Sequence, residues 1–119
     1  ELKSSILSVK ELYPGRKGTG IFQPHLYSRT RDFATGFAES LSFLDELILL
    51  DIYPAREEPI PGVTSRIIFD KVTIHDKKLC TKEQLPELIR NGSFDVVLML
   101  GAGDIDRLIE PVKRILEDK

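Results

Sequence analysis

The sequence predicts an α/β fold in which a mostly parallel sheet is covered by helices on both faces. Strand-like runs alternate with helix-like runs along the chain, which is the pattern of consecutive βα units. One run, ELILLDIY at residues 46–53, is apolar at nearly every position, as a strand buried on both faces requires. Together these observations indicate a Rossmann-like, three-layer domain.

Length and composition are those of one soluble domain spanning residues 1–119. The chain is 41% hydrophobic, and its 17 basic and 19 acidic side chains include no long Lys or Arg run, which argues against nucleic acid as a partner. A single cysteine excludes an internal disulfide, and no apolar run reaches the ~20 residues of a membrane span. We expect a cytoplasmic protein with no membrane partner. The chain starts without a methionine and directly in a helical pattern, which suggests a piece of a longer protein.

The N-terminal half contains two predicted helices separated by a strand. The first helix is predicted from apolar residues at helical spacing, namely Leu2, Ile6, Val9 and Tyr13. The run TGIFQ predicts a strand that ends at Pro24, because proline has no amide to donate. For the second helix we expect Ser28 or Thr30 as the N-cap and Asp32 in the first turn. Its buried stripe is predicted to consist of Phe33, Phe37, Leu41 and Leu44.

The C-terminal half continues the alternation. After a proline-rich connection we expect a short helix at Ser65–Lys71 and a weak strand at Lys78–Cys80. Thr81 and Gln84 have the spacing of a capping box, and the NG pair at 91–92 should end the helix that follows. The run FDVVLML predicts the last strand, and a final helix, weakened locally by its proline, carries Leu108, Val112 and Ile115 on one face.

Three of the predicted strands end in polar or glycine-rich sequence. These endings are QPHLYSR after the first strand, DIYPARE after the second and GAGDI after the last. In a parallel sheet the loops that follow the strands meet at one edge, and ligands bind there. We therefore expect the three loops to converge on a binding site.

His25 and Arg29 are the leading candidates in the first loop. A lone histidine behind Pro24 is more often a turn residue bonded to the backbone than a functional group. Arg29, a cation at a helix start, opposes the positive end of the helix dipole, so an anionic partner would explain it better. Together the two favour an anion site. Tyr27 is interpreted first as a packing residue, against Phe33 or a neighbouring loop.

The other two loops offer weaker candidates. Asp51 ends an apolar strand, where a carboxylate needs water, a donor or a cation. Tyr53 lies near charged residues, and all of them could equally be an exposed cluster without a functional role: Arg56, Glu57 and Glu58. Gly101, Gly103 and Asp104 offer bare amides for an anion at a helix start but lack the spacing of a dinucleotide site or a P-loop. Tight packing, with Asp104 as an N-cap, explains them equally well.

No metal ligand set is predicted. His75 beside one aspartate is a poor metal site and is read as a surface residue. Cys80 is expected to pack as a small apolar side chain, because nothing near it in sequence would activate a thiol.

Three ordered motifs resemble the C-terminal domain of the Mur ligases. FQPHLYSRTRDF resembles the family's F-Q-P-H-x-[YF]-[ST]-R-T segment, and LLDIYPAREEPIPGVTS resembles its D-[VI]-Y-x-A-x-E-x-P-I-x-G connection. GAGDI resembles its G-A-G-[DN]-I turn. The resemblance covers nearly the whole chain, and the histidine segment points to the alanine-adding branch of the family.

The resemblance implies an ADP-forming ligase that uses ATP and Mg²⁺ in peptidoglycan synthesis. Such an enzyme joins L-alanine to the lactyl carboxylate of UDP-N-acetylmuramate through an acyl phosphate. The resemblance also implies partner domains on the same polypeptide, a central ATPase domain and an N-terminal UDP-binding domain, which this sequence does not contain. Residues 1–119 alone are therefore expected to be inactive.

For the site, the resemblance implies that His25 and Arg29 face the reaction centre as catalytic and substrate-binding residues. Tyr27 and Tyr53 are lesser pocket-lining candidates, and Asp51 is kept with them as a substrate-binding candidate. The sequence departs from the family pattern at Leu26, where many members have arginine, which leaves the charge of the site open. Arg56 is a second departure, because glycine is frequent at that position.

Two alternatives stay open at the level of the sequence. The first is the recycling ligase of the same family, which attaches a peptide in place of alanine, although its histidine segment reads differently. The second is a free-standing α/β binding or signalling module such as a receiver domain. Receivers need an acidic pair after the first strand, whereas here that strand ends in Gln23 and Pro24.

Overall fold

Helix and strand alternate along the chain as the apolar patterns predict. The computed structural model describes residues 2–101 and 105–119. Its elements are α1 (Leu2–Leu12), β1 (Gly18–Gln23), α2 (Tyr27–Leu41), β2 (Glu46–Leu50), α3 (Arg66–Phe69), β3 (Lys77–Cys80), α4 (Leu85–Asn91), β4 (Val96–Gly101) and α5 (Ile105–Glu117).

The four strands form one parallel sheet in the order β3-β2-β1-β4. β1 lies inside the sheet, with Ile21 opposite Ile48 of β2 on one side and Met99 of β4 on the other. β3 and β4 form the two edges. The chain moves outward from β1 through β2 to β3 and then crosses back to the far side of β1. The boundary between β1 and β4 is therefore the point where the strand order reverses.

Alternate residues of the strands pack into two cores, one on each face of the sheet. Leu47 and Leu49 join the core that also holds residues of α1, α2 and α3. Ile48 and Leu50 join the core on the opposite face, with residues of α4 and α5. The predicted three-layer α/β class is confirmed, because each central strand is covered by helices on both faces.

The start and the buried face of α2 differ from the prediction. The helix begins at Tyr27 with Leu26 at the N-cap position, so neither Ser28 nor Thr30 caps it, and Asp32 lies beyond the first turn. Its buried face consists of Thr30, Ala34, Ala38 and Leu41. Of the predicted stripe, Leu41 is buried and Phe37 is partly buried against the core, whereas Phe33 is 52% exposed. Leu44 is buried, but it follows the helix.

The second strand is shorter than its apolar run. β2 ends at Leu50, and Tyr53 returns to pairing only as an isolated bridge with His25. Pro24 interrupts the ladder between them, because it has no amide to donate.

Tyr13, predicted as part of the first helix, lies beyond the end of α1 and is 48% exposed, so that prediction was wrong. Several other local predictions agree with the structure. The capping box is present, with the Gln84 amide donating to Thr81 Oγ1 at 3.1 Å and the Thr81 amide donating to Gln84 Oε1 at 2.9 Å. The short helix α3, the strand β3 and the helix end at Gly92 also lie where they were expected. Pro111 lies inside α5. In the described ranges, none of the helices has the length and apolar character needed to cross a bilayer.

The amino edge of the sheet holds a buried carboxylate with several partners. Glu46, the first residue of β2, is 5% exposed. Its Oε1 accepts from Thr19 Oγ1 at 2.8 Å and lies 3.2 Å from Lys17 Nζ, while its Oε2 lies 3.0 Å from Lys78 Nζ. Burial raises the pKa of Glu46, but the hydrogen bonds from Thr19, Lys78 and Lys17 outweigh it and hold the pKa below its usual value.

Candidate functional site

The loops after β1 and β2 meet at the carboxyl edge of the sheet. The Tyr53 amide donates to the Pro24 carbonyl at 2.8 Å, and the Leu26 amide donates to the Tyr53 carbonyl at 2.9 Å. These two bonds join the loops beyond the end of the regular ladder. The predicted convergence of the first two loops is therefore present in the structure.

His25 stacks on Tyr53 across this junction. The two ring centroids lie 5.8 Å apart with the rings inclined by 17°. The stack holds the half-buried imidazole by one face, and the structure gives its nitrogens no hydrogen bond to any described residue. The ring is therefore oriented by the second loop and keeps its polar atoms available.

Arg29 is exposed on the first turn of α2. Its guanidinium lies over the Phe33 ring, 5.4 Å from the centroid, and no carboxylate pairs with it within residues 2–101 and 105–119. Phe33 itself has non-helical backbone angles, φ −117° and ψ 17°, which kink the helix at this point. The exposed aromatic ring therefore supports a cation that has no protein counter-ion in the described part of the chain.

His25 and Arg29 line one cavity of about 380 Å³. Its other lining residues are Phe22, Gln23, Leu26, Phe37 and Gly101. The cavity therefore draws on the ends of both β1 and β4, at the point where the strand order reverses, which is where ligands bind in open α/β sheets. A wider groove that shares Arg29, Phe22 and Phe37 with the cavity continues along α2.

Gly101 has a structural reason to be glycine. Its φ is +120°, and an added Cβ would lie 2.4 Å from the Gln23 carbonyl oxygen. The position therefore brings β4 close to β1 at the rim of the cavity. Gly103 and Asp104, the other predicted anion-binding residues of this loop, lie outside the described residues.

Tyr27, Tyr53 and Asp51 do not line this cavity. Tyr53 contacts the cavity-lining His25 through the ring stack, and Tyr27 is the first residue of α2. Asp51 is exposed beyond the end of β2, so its carboxylate meets water. The cavity thus brings together His25, Arg29 and Gly101 of the predicted set.

Sequence reasoning missed the role of Glu57. This carboxylate accepts from the Ser28 amide at 3.1 Å and from Ser28 Oγ, so it lies at the N-terminus of α2. The hydrogen bond from the Ser28 side chain, with smaller contributions from the Ser28 and Tyr27 amides, holds the pKa of Glu57 below its usual value. A carboxylate from the second loop therefore meets the positive end of the helix dipole. No local pattern could reveal it, since the partners are 29 positions apart.

Gln23 was also missed. It is 4% exposed at the end of β1, and its Oε1 has no hydrogen-bond partner within the described ranges. By strand alternation its side chain leaves the sheet on the face opposite to Phe22. A buried amide oxygen without a donor costs free energy, so this position is a second unmet polar group at the carboxyl edge.

The candidates set aside in the sequence are not activated in the structure. His75 is exposed. Burial, with a smaller contribution from the charge of Asp51, raises the pKa of Cys80 to about 11. Within the described ranges no group of three or more His, Cys, Asp or Glu side chains is arranged to hold a metal ion.

The geometry of the cavity suits a small anion. A guanidinium can donate two parallel hydrogen bonds to a carboxylate or phosphoryl group, and an imidazole can donate a third. Phe22, Phe37 and Leu26 provide apolar surface beside these donors. The combination offers donors for an anion next to apolar surface.

Three similar relatives of this chain share one name. The UDP-N-acetylmuramate–L-alanine ligase of Parabacteroides distasonis is 76% identical over 116 residues, which are 98% of this chain and 25% of the relative. Ligases of the same name from Porphyromonas gingivalis strain W83 and Phocaeicola vulgatus are 58% and 51% identical, over 98% and 100% of this chain. The chain is homologous to a segment of the alanine-adding Mur ligases. The resemblance indicated by the three motifs is thereby confirmed.

The chain matches only part of each relative. The chain spans about a quarter of the length of the relatives it matches. No family model matches the chain.

Proposed function

We propose that residues 1–119 form the C-terminal, amino-acid-binding and cleft-closing domain of an ATP-dependent ligase that adds L-alanine to UDP-N-acetylmuramate. The observation that carries this proposal is the 76% identity to a ligase of that name over 98% of the chain. The geometry of the cavity supports it, because an exposed guanidinium without a protein counter-ion in the described ranges lies beside an imidazole and apolar rings.

Arg29 and His25 have distinct roles in this proposal. Arg29 donates to a carboxylate or to the phosphoryl group being transferred, where its fixed positive charge stabilises developing negative charge. His25, held by its stack on Tyr53, orients the incoming alanine relative to the acyl phosphate. Orientation of two reactants is itself a large contribution to amide-bond formation.

ATP and Mg²⁺ are proposed as cofactors of the whole ligase. The described residues provide no cluster of oxygen ligands for Mg²⁺, and the sequence contains no G-K-[ST] loop for the phosphates. Both would be held by a central domain of the longer polypeptide, where ATP supplies the phosphoryl group that activates the lactyl carboxylate. Within this chain, the guanidinium of Arg29 is the group proposed to contact the transferred phosphoryl group.

The proposed partners follow from the same assignment. They are UDP-N-acetylmuramate, L-alanine, and the central and N-terminal domains of the same polypeptide, acting in the cytoplasm in peptidoglycan synthesis. Neither nucleic acid nor a membrane is proposed as a partner. The chain alone is proposed to be inactive, because the nucleotide and the sugar substrate would be bound elsewhere in the polypeptide.

The test is ligation by the full-length protein that contains this chain. We expect ADP release that depends on both UDP-N-acetylmuramate and L-alanine, and no comparable release when a cell-wall tripeptide replaces alanine. A preference for the tripeptide would assign the protein to the recycling branch. Absence of turnover with either amine would refute the ligase assignment.

Sequencing the parent gene gives an independent test against the free-standing module. We expect a G-K-[ST] loop some two hundred residues upstream of Glu1, in the proposed central ATPase domain. A start codon immediately before this segment would contradict the assignment.

A further inference from the structure

Backbone strain is concentrated in the two loops that meet at the cavity. Within the described ranges the non-glycine residues with positive φ are Leu26, at +71°, and Ala55, at +54°. One lies in the loop after β1 and the other in the loop after β2. A side chain disfavours this region of backbone conformation, so it persists only where the surroundings impose it.

The surroundings of Leu26 do impose it. Its amide donates to the Tyr53 carbonyl at 2.9 Å. Its carbonyl accepts from the Thr30 amide at 3.1 Å and from Thr30 Oγ1 at 2.8 Å. Both polar groups of the strained residue are therefore committed, one to the second loop and the other to the first turn of α2.

Glu57 fastens the same turn of α2 to the second loop. Its carboxylate accepts from the Ser28 amide and the Ser28 hydroxyl, so the loop holds the helix at its first turn as well as at Leu26. Arg31, whose charge has only a minor effect on this carboxylate, pairs with Asp32 at 2.8 Å. The hydrogen bonds from Ser28 are therefore the main contacts that hold the Glu57 carboxylate.

We propose that Glu57 is a positioning residue, which holds the first turn of α2 against the second loop and thereby keeps Leu26 in its strained conformation. His25 immediately precedes Leu26 and Arg29 follows it by three positions, so the backbone angles at Leu26 set the direction of one group relative to the other. This inference rests on the proposed function only for its kinetic readout. Glu57 does not line the cavity and acts through the two residues that do.

The kinetic experiment compares two neighbouring glutamates in the full-length ligase. Glu57→Gln removes the charge and one acceptor oxygen, and we expect kcat/KM for L-alanine to fall at least ~10-fold, because small misplacements of catalytic groups cost this much or more. The KM for ATP should stay within about 2-fold, since the nucleotide does not depend on this turn. Glu58→Gln, an exposed neighbour, is the matched control and should change kcat/KM less than about 2-fold.

A double-mutant cycle with Leu26→Gly tests the strain directly. Glycine adopts positive φ without penalty, so Glu57 has less to enforce in that background. We expect Glu57→Gln to cost at least ~3-fold less in kcat/KM in the Leu26→Gly enzyme than in the wild type. Unchanged alanine kinetics in Glu57→Gln, or an equal loss in both backgrounds, would overturn the proposal. If Glu57→Gln does not fold, Ser28→Ala removes the partner hydroxyl and replaces it in the cycle.

Hydrogen exchange separates this inference from the proposed function. Amides of residues 25–30 should exchange faster in Glu57→Gln than in the wild type or in Glu58→Gln, while those of α4 should be unchanged in all three. This readout needs no turnover. Inactive wild-type enzyme with the expected exchange pattern would therefore refute the ligase assignment alone, and unaltered exchange at residues 25–30 would refute the positioning role alone.

Discussion

The two edges of the sheet treat charge in opposite ways. At the amino edge the buried carboxylate of Glu46 has a hydroxyl and two ammonium groups as partners. At the carboxyl edge Arg29 has no carboxylate and Gln23 Oε1 has no donor among residues 2–101 and 105–119. The buried carboxylate at one edge is thus fully partnered, whereas Arg29 and Gln23 Oε1 at the other are not within the described residues, although Glu57 on that side is bonded to Ser28. Paired charges at the amino edge contribute to stability, and the groups at the carboxyl edge that lack polar protein partners in the described structure belong to the proposed binding site.

The largest effect should come from removing the unpaired cation. Under the proposed function, we expect Arg29→Ala in the full-length protein to lower kcat/KM for L-alanine by at least ~10²-fold, as the loss of a positioned donor to developing charge does. Its unfolding temperature should not fall, because Arg29 has no ion pair in the described ranges. Steady-state kinetics and thermal unfolding measure the two expectations. Arg31→Ala is the control, since that guanidinium is exposed and bound to Asp32, and an equal loss in both variants would contradict the comparison.

At the amino edge we expect the reverse pattern. Glu46→Gln should destabilise the protein by about 1–3 kcal/mol, because it leaves two ammonium groups without a buried counter-charge. Turnover by the remaining folded enzyme should be unchanged. Urea unfolding and kinetics on the same preparation test this, and a stable but catalytically impaired Glu46→Gln enzyme would contradict it.

Acid should destabilise the amino edge through Glu46. Because the pKa of Glu46 is lowered in the folded state, its contribution to stability is complete above the unfolded pKa of about 4.3 and is lost as the pH falls through the folded pKa. We expect the free energy of unfolding to fall below about pH 4.3 and to fall less steeply in Glu46→Gln. Urea midpoints at several acidic pH values measure the difference, and parallel curves would exclude Glu46 as a contributor.

The smallest effect should come from one exposed partner of that carboxylate. Lys17 is 43% exposed, so Lys17→Ala should cost at most about 1 kcal/mol of stability, as partly solvated ion pairs do. Lys78 and Thr19 would still hold Glu46. A loss as large as that of Glu46→Gln, measured by urea unfolding, would show that the cluster depends on a single pair.

Local sequence patterns predicted those features that depend on neighbouring residues. The capping box at Thr81 and Gln84 and the helix end at Gly92 needed only residues a few positions apart. The convergence of loops at one edge followed from parallel strands, so His25 and Arg29 could be named as candidates before the fold was known.

The features that were missed depend on distant parts of the chain. At the N-terminus of α2 the Glu57 carboxylate accepts hydrogen bonds from Ser28. Capping rules consider only residues near the helix start, so they could not predict this contact. Likewise the bonds that join Tyr53 to the Pro24 carbonyl and the Leu26 amide, and the positive φ of Leu26, depend on contacts between two loops. Whether Arg29 has a counter-ion is also a question of tertiary contacts, which the sequence leaves open.

The two outer strands differ in how well they resist pairing with another molecule. β3 is four residues long and carries two lysines, the usual protection of an outer strand. β4 is longer, VVLMLG, carries no charge, and in the described structure pairs on one side only, with β1. An uncharged edge strand of this kind can pair with a strand of another molecule, which promotes aggregation. We therefore expect residues 1–119, when expressed alone, to associate through β4, since Val96 and Val97 pack against the two cores and leave no room for a protecting lysine at either position.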